Sequence, residues 1–344
     1  MCRDRRWIEK TLSHQDTEGI PYYFDFTPPA RRRAESYFGI PLEERLKLPI
    51  RMTGLRSIKP LYADPSDFGE MALDEFGVGW CTSSIDRGAA IRPCLREADL
   101  SGYGFPECSA SYRFEGLGEW CAQNREHYTV IWVGELWERA TFMRGMENML
   151  TDLALNPKFV DELLGALGDY VLGTMEILFD RFEFDGIAVS DDYGAQNAML
   201  MSGVAWRRFI RPHLSRIYQS AKRHGRTILQ HSDGYVYPIV GDLIDVGCDI
   251  LHPAQPEAMD VLHLKREFGR DLTLCGGMRT QDLLPRGTPE QVRDEVRKLK
   301  SELGRGGGYV LSNGITIQSD VPLENMVAMV QEARKTGGSA FGLS

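Results

Sequence analysis

The 344-residue chain has no apolar run approaching the roughly 18 residues that a membrane span requires. Its first stretch, MCRDRRWIEKTLSHQD, carries charges with no apolar segment behind them, so no secretory signal is expected. Positive charge is not in surplus: the formal net charge is −9, which argues against a nucleic-acid partner. No C-x-x-C pair occurs among the seven cysteines Cys2, Cys81, Cys94, Cys108, Cys121, Cys248 and Cys275. An odd count at irregular spacing predicts reduced thiols and a cytoplasmic setting rather than a disulfide frame or a zinc module. A dinucleotide fingerprint is also missing. GRGGGY (304–309) precedes a strand and lacks the Lys-Ser/Thr of a phosphate loop. What is present is ordinary for a globular enzyme, with 42% hydrophobic and 26% charged residues.

From residue 128 onward, short apolar runs alternate with helical patterns. The predicted strands are 129–134, 186–190, 227–232, 248–253, 271–277 and 307–314. Between them, NPKFVDELLGALGDYVLGTMEILFDR (156–181) places Val160, Leu163, Leu164, Leu167 and Val171 on one helical face. Asn156 reads as its N-cap and Pro157 as its first residue. A helix from about 202 to 223 is expected to kink or restart at Pro212. Gly247 and Gly269 read as helix stops. Thr288 and Gln291 have capping-box spacing, and a last helix spans 322–335. Six such units plus an early strand at 21–26 predict a parallel sheet, best closed as a single (β/α)8 barrel. Residues 27–128 have weak periodicity and read as an elaboration carrying the remaining strand or strands. An open doubly wound sheet is the alternative.

In a barrel, chemistry collects at the C-terminal strand ends. Those ends read Glu135, then Asp191-Asp192-Tyr193, His231-Ser232-Asp233, His252, Cys275 and Asn313. Each has an ordinary reading as well. His231 serves a loop carbonyl as readily as a substrate, and Asp233-Gly234 is turn chemistry. Cys275 before two glycines suits a small buried side chain, and of two adjacent acids at 191–192 only one is expected to face outward. Glu135 lies near Trp132 and Trp137, so a raised carboxyl is conceivable there. Cys248, at the start of a strand, reads as core. The run RDEVRKLKSELGR reads as a solvated helix face.

Several stretches together resemble the uroporphyrinogen decarboxylase superfamily, especially its corrinoid-linked methyltransferase branch. They are RGMENMLTDLALNPKFVDELL, FDGIAVSDDYG, FIRPHLSRIYQSAKRHG, LQHSDGYVYPIVGDLIDVGCDILHPAQPEAMDVLHLKREFG, LTLCGGMRTQDLLPRGTPEQVRDEVRKL and GGGYVLSNGITIQSDVPLENMVAMV. The resemblance implies a (β/α)8 barrel with its site at the C-terminal mouth. It also implies either tetrapyrrole decarboxylation or methyl transfer involving a corrinoid protein. The decarboxylase pattern fails at several places: Arg31, Arg32 and Arg33 lack their surrounding motif, the family's tyrosine falls near Phe142, and its last-strand histidine falls near Ile315. The thiol-methylating pattern is half matched, since its His-x-Cys reads His231-Ser232-Asp233 and its last cysteine position is again Ile315.

These departures lead to a methyltransferase that takes a methyl group from a small donor, an aryl or alkyl methyl ether being favoured, and passes it to a corrinoid partner. Expelling phenolate, whose acid has a pKa near ~10, requires a proton or a Lewis acid. The expected catalytic residues are His231, Asp192 and Glu135. Zinc would sit on His231, Asp233 and Cys275, and Tyr193, Phe142, Trp137, Asn313 and His252 would contact the donor. The alternatives are a decarboxylase of a small acid and a non-catalytic tetrapyrrole- or corrinoid-binding protein.

Overall fold

The computed structural model describes residues 3–57, 71–82, 86 and 88–335. Among the described residues eleven strands are formed: β1 (Tyr22–Tyr23), β2 (Ile50–Gly54), β3 (Ala72–Leu73), β4 (Gly79–Thr82), β5 (Gly88–Arg92), β6 (Tyr128–Gly134), β7 (Gly186–Ser190), β8 (Thr227–His231), β9 (Ile250–Ala254), β10 (Thr273–Met278) and β11 (Tyr309–Asn313). The principal sheet runs β1-β11-β10-β9-β8-β7-β6-β2, with helices between its later strands, which is the alternation of a (β/α)8 barrel. The six strands expected after residue 128 are all present, and β1 and β2 complete the eight. Residues 27–128 carry β2 and a separate antiparallel sheet, β3-β4-β5.

The chain divides into two compact units, residues 1–51, 126–128 and 250–344, and residues 52–125 and 129–249. In the first unit, β1, β11, β10 and β9 pair in parallel, with Tyr22 opposite Leu311 and Leu274 opposite Tyr309. In the second, β6, β7 and β8 pair in parallel, and Ser190 lies opposite His231. That register makes the chain leave β7 and β8 at the same level. Strands β9, β10 and β11 are buried at every position, so their sequences show no alternation.

Helix Pro157–Arg181 buries all five residues expected on its apolar face. Asn156 precedes it but does not cap it; its carboxamide donates instead to Asp152 Oδ1 at 2.7 Å. The chain does restart at Pro212, dividing helix Gly203–Phe209 from helix Arg211–Arg223. Thr288 and Gln291 form the expected capping box. Gly247 ends helix Val240–Val246 in the left-handed conformation. Cys248 is buried just ahead of β9, which begins at Ile250. Among the described residues no helix is long and apolar enough to cross a membrane.

Candidate active site at the ends of β6, β7 and β8

The second unit brings its chemistry together where three neighbouring strands end. After β7, the adjacent acids diverge. Asp191 is fully buried, and its Oδ1 accepts the backbone N–H groups of Leu136 and Glu138 at 3.0 and 2.9 Å. These belong to the start of helix Trp137–Arg144, whose own N-cap residue, Leu136, has no polar side chain to offer. Asp191 therefore caps from the next strand the helix that follows β6. Its Oδ2 accepts the Tyr193 hydroxyl at 2.9 Å. Burial pushes the Asp191 carboxyl up to about 8, against the opposing pull of the Glu138 N–H and the Tyr193 hydroxyl.

Asp192 points the other way and is 35% exposed. Its Oδ1 accepts the Asp233 N–H at 2.7 Å and lies 3.7 Å from His231 Nε2. Asp233 Oδ1 is 3.9 Å from the same nitrogen. These separations exceed direct hydrogen bonds. One ligand atom from each of Asp192, His231 and Asp233 falls within 4.8 Å of the other two, a grouping with room for a cation between them. The His231 ring stands edge-on to Trp132, with ring centres 5.9 Å apart. Two glycines hold the turns together. A Cβ on Gly194 would lie 2.7 Å from Asp233 O, and one on Gly234, at φ +79°, would lie 2.6 Å from the Gly194 backbone.

After β6, Glu135 is ion-paired with Arg139 at 3.0 Å. The guanidinium also reaches Asp74 at 2.7 Å and lies over the rings of Phe76 and Phe142. Burial acts against the Arg139 charge, but Glu135 and Asp74 hold it firmly protonated. The acid that is driven up is Glu138, one turn further on. Burial comes first and the Asp192 charge second, and together they push its carboxyl well above the ordinary range. Ser190 donates its hydroxyl to Glu138 Oε2 at 2.7 Å.

Five of the expected site residues thus stand at these strand ends: Glu135, Asp192, Tyr193, His231 and Asp233. Several expected roles change. Tyr193 is fully buried with its hydroxyl on Asp191, so it braces the site instead of lining it. Trp137 is also fully buried and packs in the core. Phe142 makes an edge contact with Trp80 at 5.0 Å and carries Arg139 on its ring. Sequence reading missed Glu138. Its one signal was the pair of acids Glu135 and Glu138, three apart, just after a strand.

Cys275, His252 and Asn313 belong to the first unit, and Cys275 is not part of the grouping of Asp192, His231 and Asp233. Burial pushes the Cys275 thiol up to about 12, with Ser312 as a partner that lowers it. His252 is buried. Asn313 is fully buried and bonded on both sides of its carboxamide. Its Nδ2 donates to Asp25 Oδ1 at 2.6 Å and to Ile315 O at 2.9 Å, while its Oδ1 accepts the Asp25 N–H. It ties β11 to the segment after β1.

Comparison with known proteins agrees with this architecture. Residues 132–336 match the family model described as Uroporphyrinogen decarboxylase (URO-D). A methylated-thiol–coenzyme M methyltransferase of Methanosarcina mazei is 24% identical over 199 residues, covering 57% of this chain and 50% of that protein. Uroporphyrinogen decarboxylases of Mannheimia succiniciproducens and Thermus thermophilus are 23% and 26% identical, covering 56% of this chain in each case and 54% and 52% of those proteins. The chain spans about half the length of the curated relatives it matches. A solved methyltransferase structure from Methanosarcina mazei superposes with a TM-score of 0.70 at 17% identity, covering 97% of this chain and 98% of that one, which establishes the barrel fold along the chain.

Proposed function

Because the chain belongs to the uroporphyrinogen decarboxylase (URO-D) family, we propose that, within that family, it is a methyltransferase. It takes a methyl group from a small uncharged donor, a methyl ether being favoured, and delivers it to a corrinoid carried by a partner protein. The observation that carries this reading is the convergence of His231, Asp192 and Asp233 at an acid-rich strand end. A polycarboxylate substrate needs unpaired cations. Arg139 is held by Glu135 and Asp74. After β1, Arg31 is 2.6 Å from Glu43, and Arg33 donates to the carbonyls of Ser319 and Val321. An ether carries no charge and suits such surroundings.

His231, Asp192 and Asp233 also fit a divalent ion such as zinc. One imidazole nitrogen and two carboxylates are ligand types that zinc accepts, and the two negative charges offset its own. In this reading Asp192 takes the ligand place expected for Cys275. When bound, the ion would supply Lewis acidity toward the donor oxygen. The protein's own part is to orient that oxygen with His231, to fix Asp192 against the Asp233 N–H, and to hold the strand ends in register.

The test combines the protein, reduced corrinoid and a panel of methyl ethers, with methylated corrinoid followed by its absorbance. Methylation that His231→Ala lowers by roughly two orders of magnitude or more is expected. Metal analysis of the same variant should show zinc lost with the imidazole. Carbon dioxide release from a small acid, with no methyl transfer from any donor, would establish the decarboxylase alternative instead. Tight tetrapyrrole binding with no turnover would establish a binding protein.

A further inference from the structure

We infer that Trp132 is a specificity residue of this site, an aromatic wall against which an aryl methyl ether lies with its oxygen toward His231. The inference rests on the methyl-transfer reading and narrows its donor to a planar aromatic one. Aromatic contacts to the donor were expected at Phe142, Trp137 and Tyr193. Trp137 and Tyr193 are fully buried, whereas Trp132 stands beside the imidazole.

The strand register places the indole. On β8, Gln230 accepts the Tyr218 hydroxyl of helix Arg211–Arg223, so Leu229 and His231 on either side of it point away from that helix. Trp132 is level with Ala188, and Ala188 with Leu229, so Trp132 shares the face of His231. Strand β7 lies between β6 and β8, which sets their backbones roughly 9–10 Å apart. The two ring centres are nevertheless 5.9 Å apart, at an interplanar angle of 77°. The indole therefore leans across β7 toward the imidazole, and it can do so because Ala188 carries only a methyl group.

The indole is also left uncovered. Trp132 is half-buried, and its neighbour on β2, Gly54, is exposed. A Cβ on Gly54 would lie 3.7 Å from Trp132 Cβ, so any other residue there would begin to close the space that glycine leaves open. Further along β6, Gly134 has no side chain either, and a Cβ there would meet Val171 of helix Pro157–Arg181 instead of this face. A donor of one or two carbons covers little of an indole. An aryl ring stacks on it and gains ring–ring contact beyond the area buried. The imidazole at the edge of the indole marks the side on which the ether oxygen lies.

The experiment compares the wild type with Trp132→Leu and Trp132→Phe. Binding of anisole to the metal-free protein is measured by calorimetry, and methylation of reduced corrinoid is followed with anisole and with dimethyl ether. Trp132→Leu is expected to weaken anisole binding about tenfold or more and to raise its KM more than it lowers kcat, with a much smaller change for dimethyl ether. Trp132→Phe keeps a ring and should recover most of the loss. Equal losses with both ethers would mean that the indole only braces the imidazole, and would overturn the assignment while methyl transfer stands. No anisole binding by the wild type, or tighter binding of tetramethylammonium than of anisole, overturns it too, the latter because the indole would then serve a cation. Anisole bound through Trp132 by a protein that methylates corrinoid from no donor leaves the aromatic wall standing and overturns the methyl-transfer reading alone.

Discussion

Asp191 answers two opposed demands. The start of helix Trp137–Arg144 wants an acceptor, and a negative charge there is favoured by the helix dipole. The core around Asp191 excludes water and disfavours that charge. The result is a carboxyl lifted from its ordinary 3.8 to about 8. The consequence for stability has a definite sign. Between roughly pH 4 and 8 the folded protein keeps a proton that the unfolded chain has released, so stability declines as pH rises through that window and levels off above it. A single linked proton gives a slope of at most about 1.4 kcal/mol per pH unit. Asp191→Asn keeps an acceptor for Leu136 and Glu138 but cannot titrate. Chemical denaturation of metal-free protein from pH 5 to 9 should show the variant gaining on the wild type as pH rises. Parallel curves would mean that Asp191 does not titrate in this range. Asp191→Ala should be less stable than either, since it leaves two N–H groups and the Tyr193 hydroxyl without their acceptor.

Among the elements, the turns after β7 and β8 decide the site. Asp192 and Asp233 meet because Gly194 and Gly234 let two backbones pass within the space of a methyl group. Gly194→Ala would place a carbon 2.5 Å from Tyr235 N, so the turns must separate. The expected outcome is a melting temperature lowered by several degrees, and, under the proposed function, zinc affinity and methyl transfer reduced together. Normal zinc binding in a correctly folded variant would show that the ligands do not depend on this contact. Much of this architecture was legible beforehand. Apolar runs such as GIAVS and TILQH mark strands β7 and β8, and their polar termini mark the candidate site. Residues 27–128 were not, because a strand of two residues and an antiparallel insert leave no period long enough to read. Glu138 was hidden for another reason: one turn into a helix, an acid looks like a solvated one until the fold sets Ser190 and Asp192 beside it. The partners of Asn313 could not be read either, because a polar strand end says nothing about which groups its side chain will find.

At the scale of the molecule, the proposed function has charge set this chain apart from the tetrapyrrole substrate after which its family is named. Uroporphyrinogen presents eight carboxylates. Against them stands a chain of net charge −9. At the ends of β6, β7 and β8 there are five acids, Glu135, Glu138, Asp191, Asp192 and Asp233. Arg139, the arginine nearest in sequence to Glu138, is already paired with Glu135 and Asp74. Of the arginines that follow β1, Arg31 is matched to Glu35 and Glu43 and Arg33 to main-chain carbonyls. Bringing a polyanion there means desolvating its carboxylates beside Glu135, Asp192 and Asp233. By the resemblance, Phe142 and Ile315 also fall near the places of the family's tyrosine and last-strand histidine. Incubation with uroporphyrinogen is therefore expected to release no carbon dioxide, while the same preparation methylates reduced corrinoid from an ether. The salt series sharpens the point. If repulsion alone excluded the polyanion, high ionic strength would screen it and some turnover would emerge. With the hydrogen-bonding groups missing as well, turnover should stay absent at every salt concentration, and decarboxylation appearing at high salt would show that Phe142 and Ile315 are no obstacle.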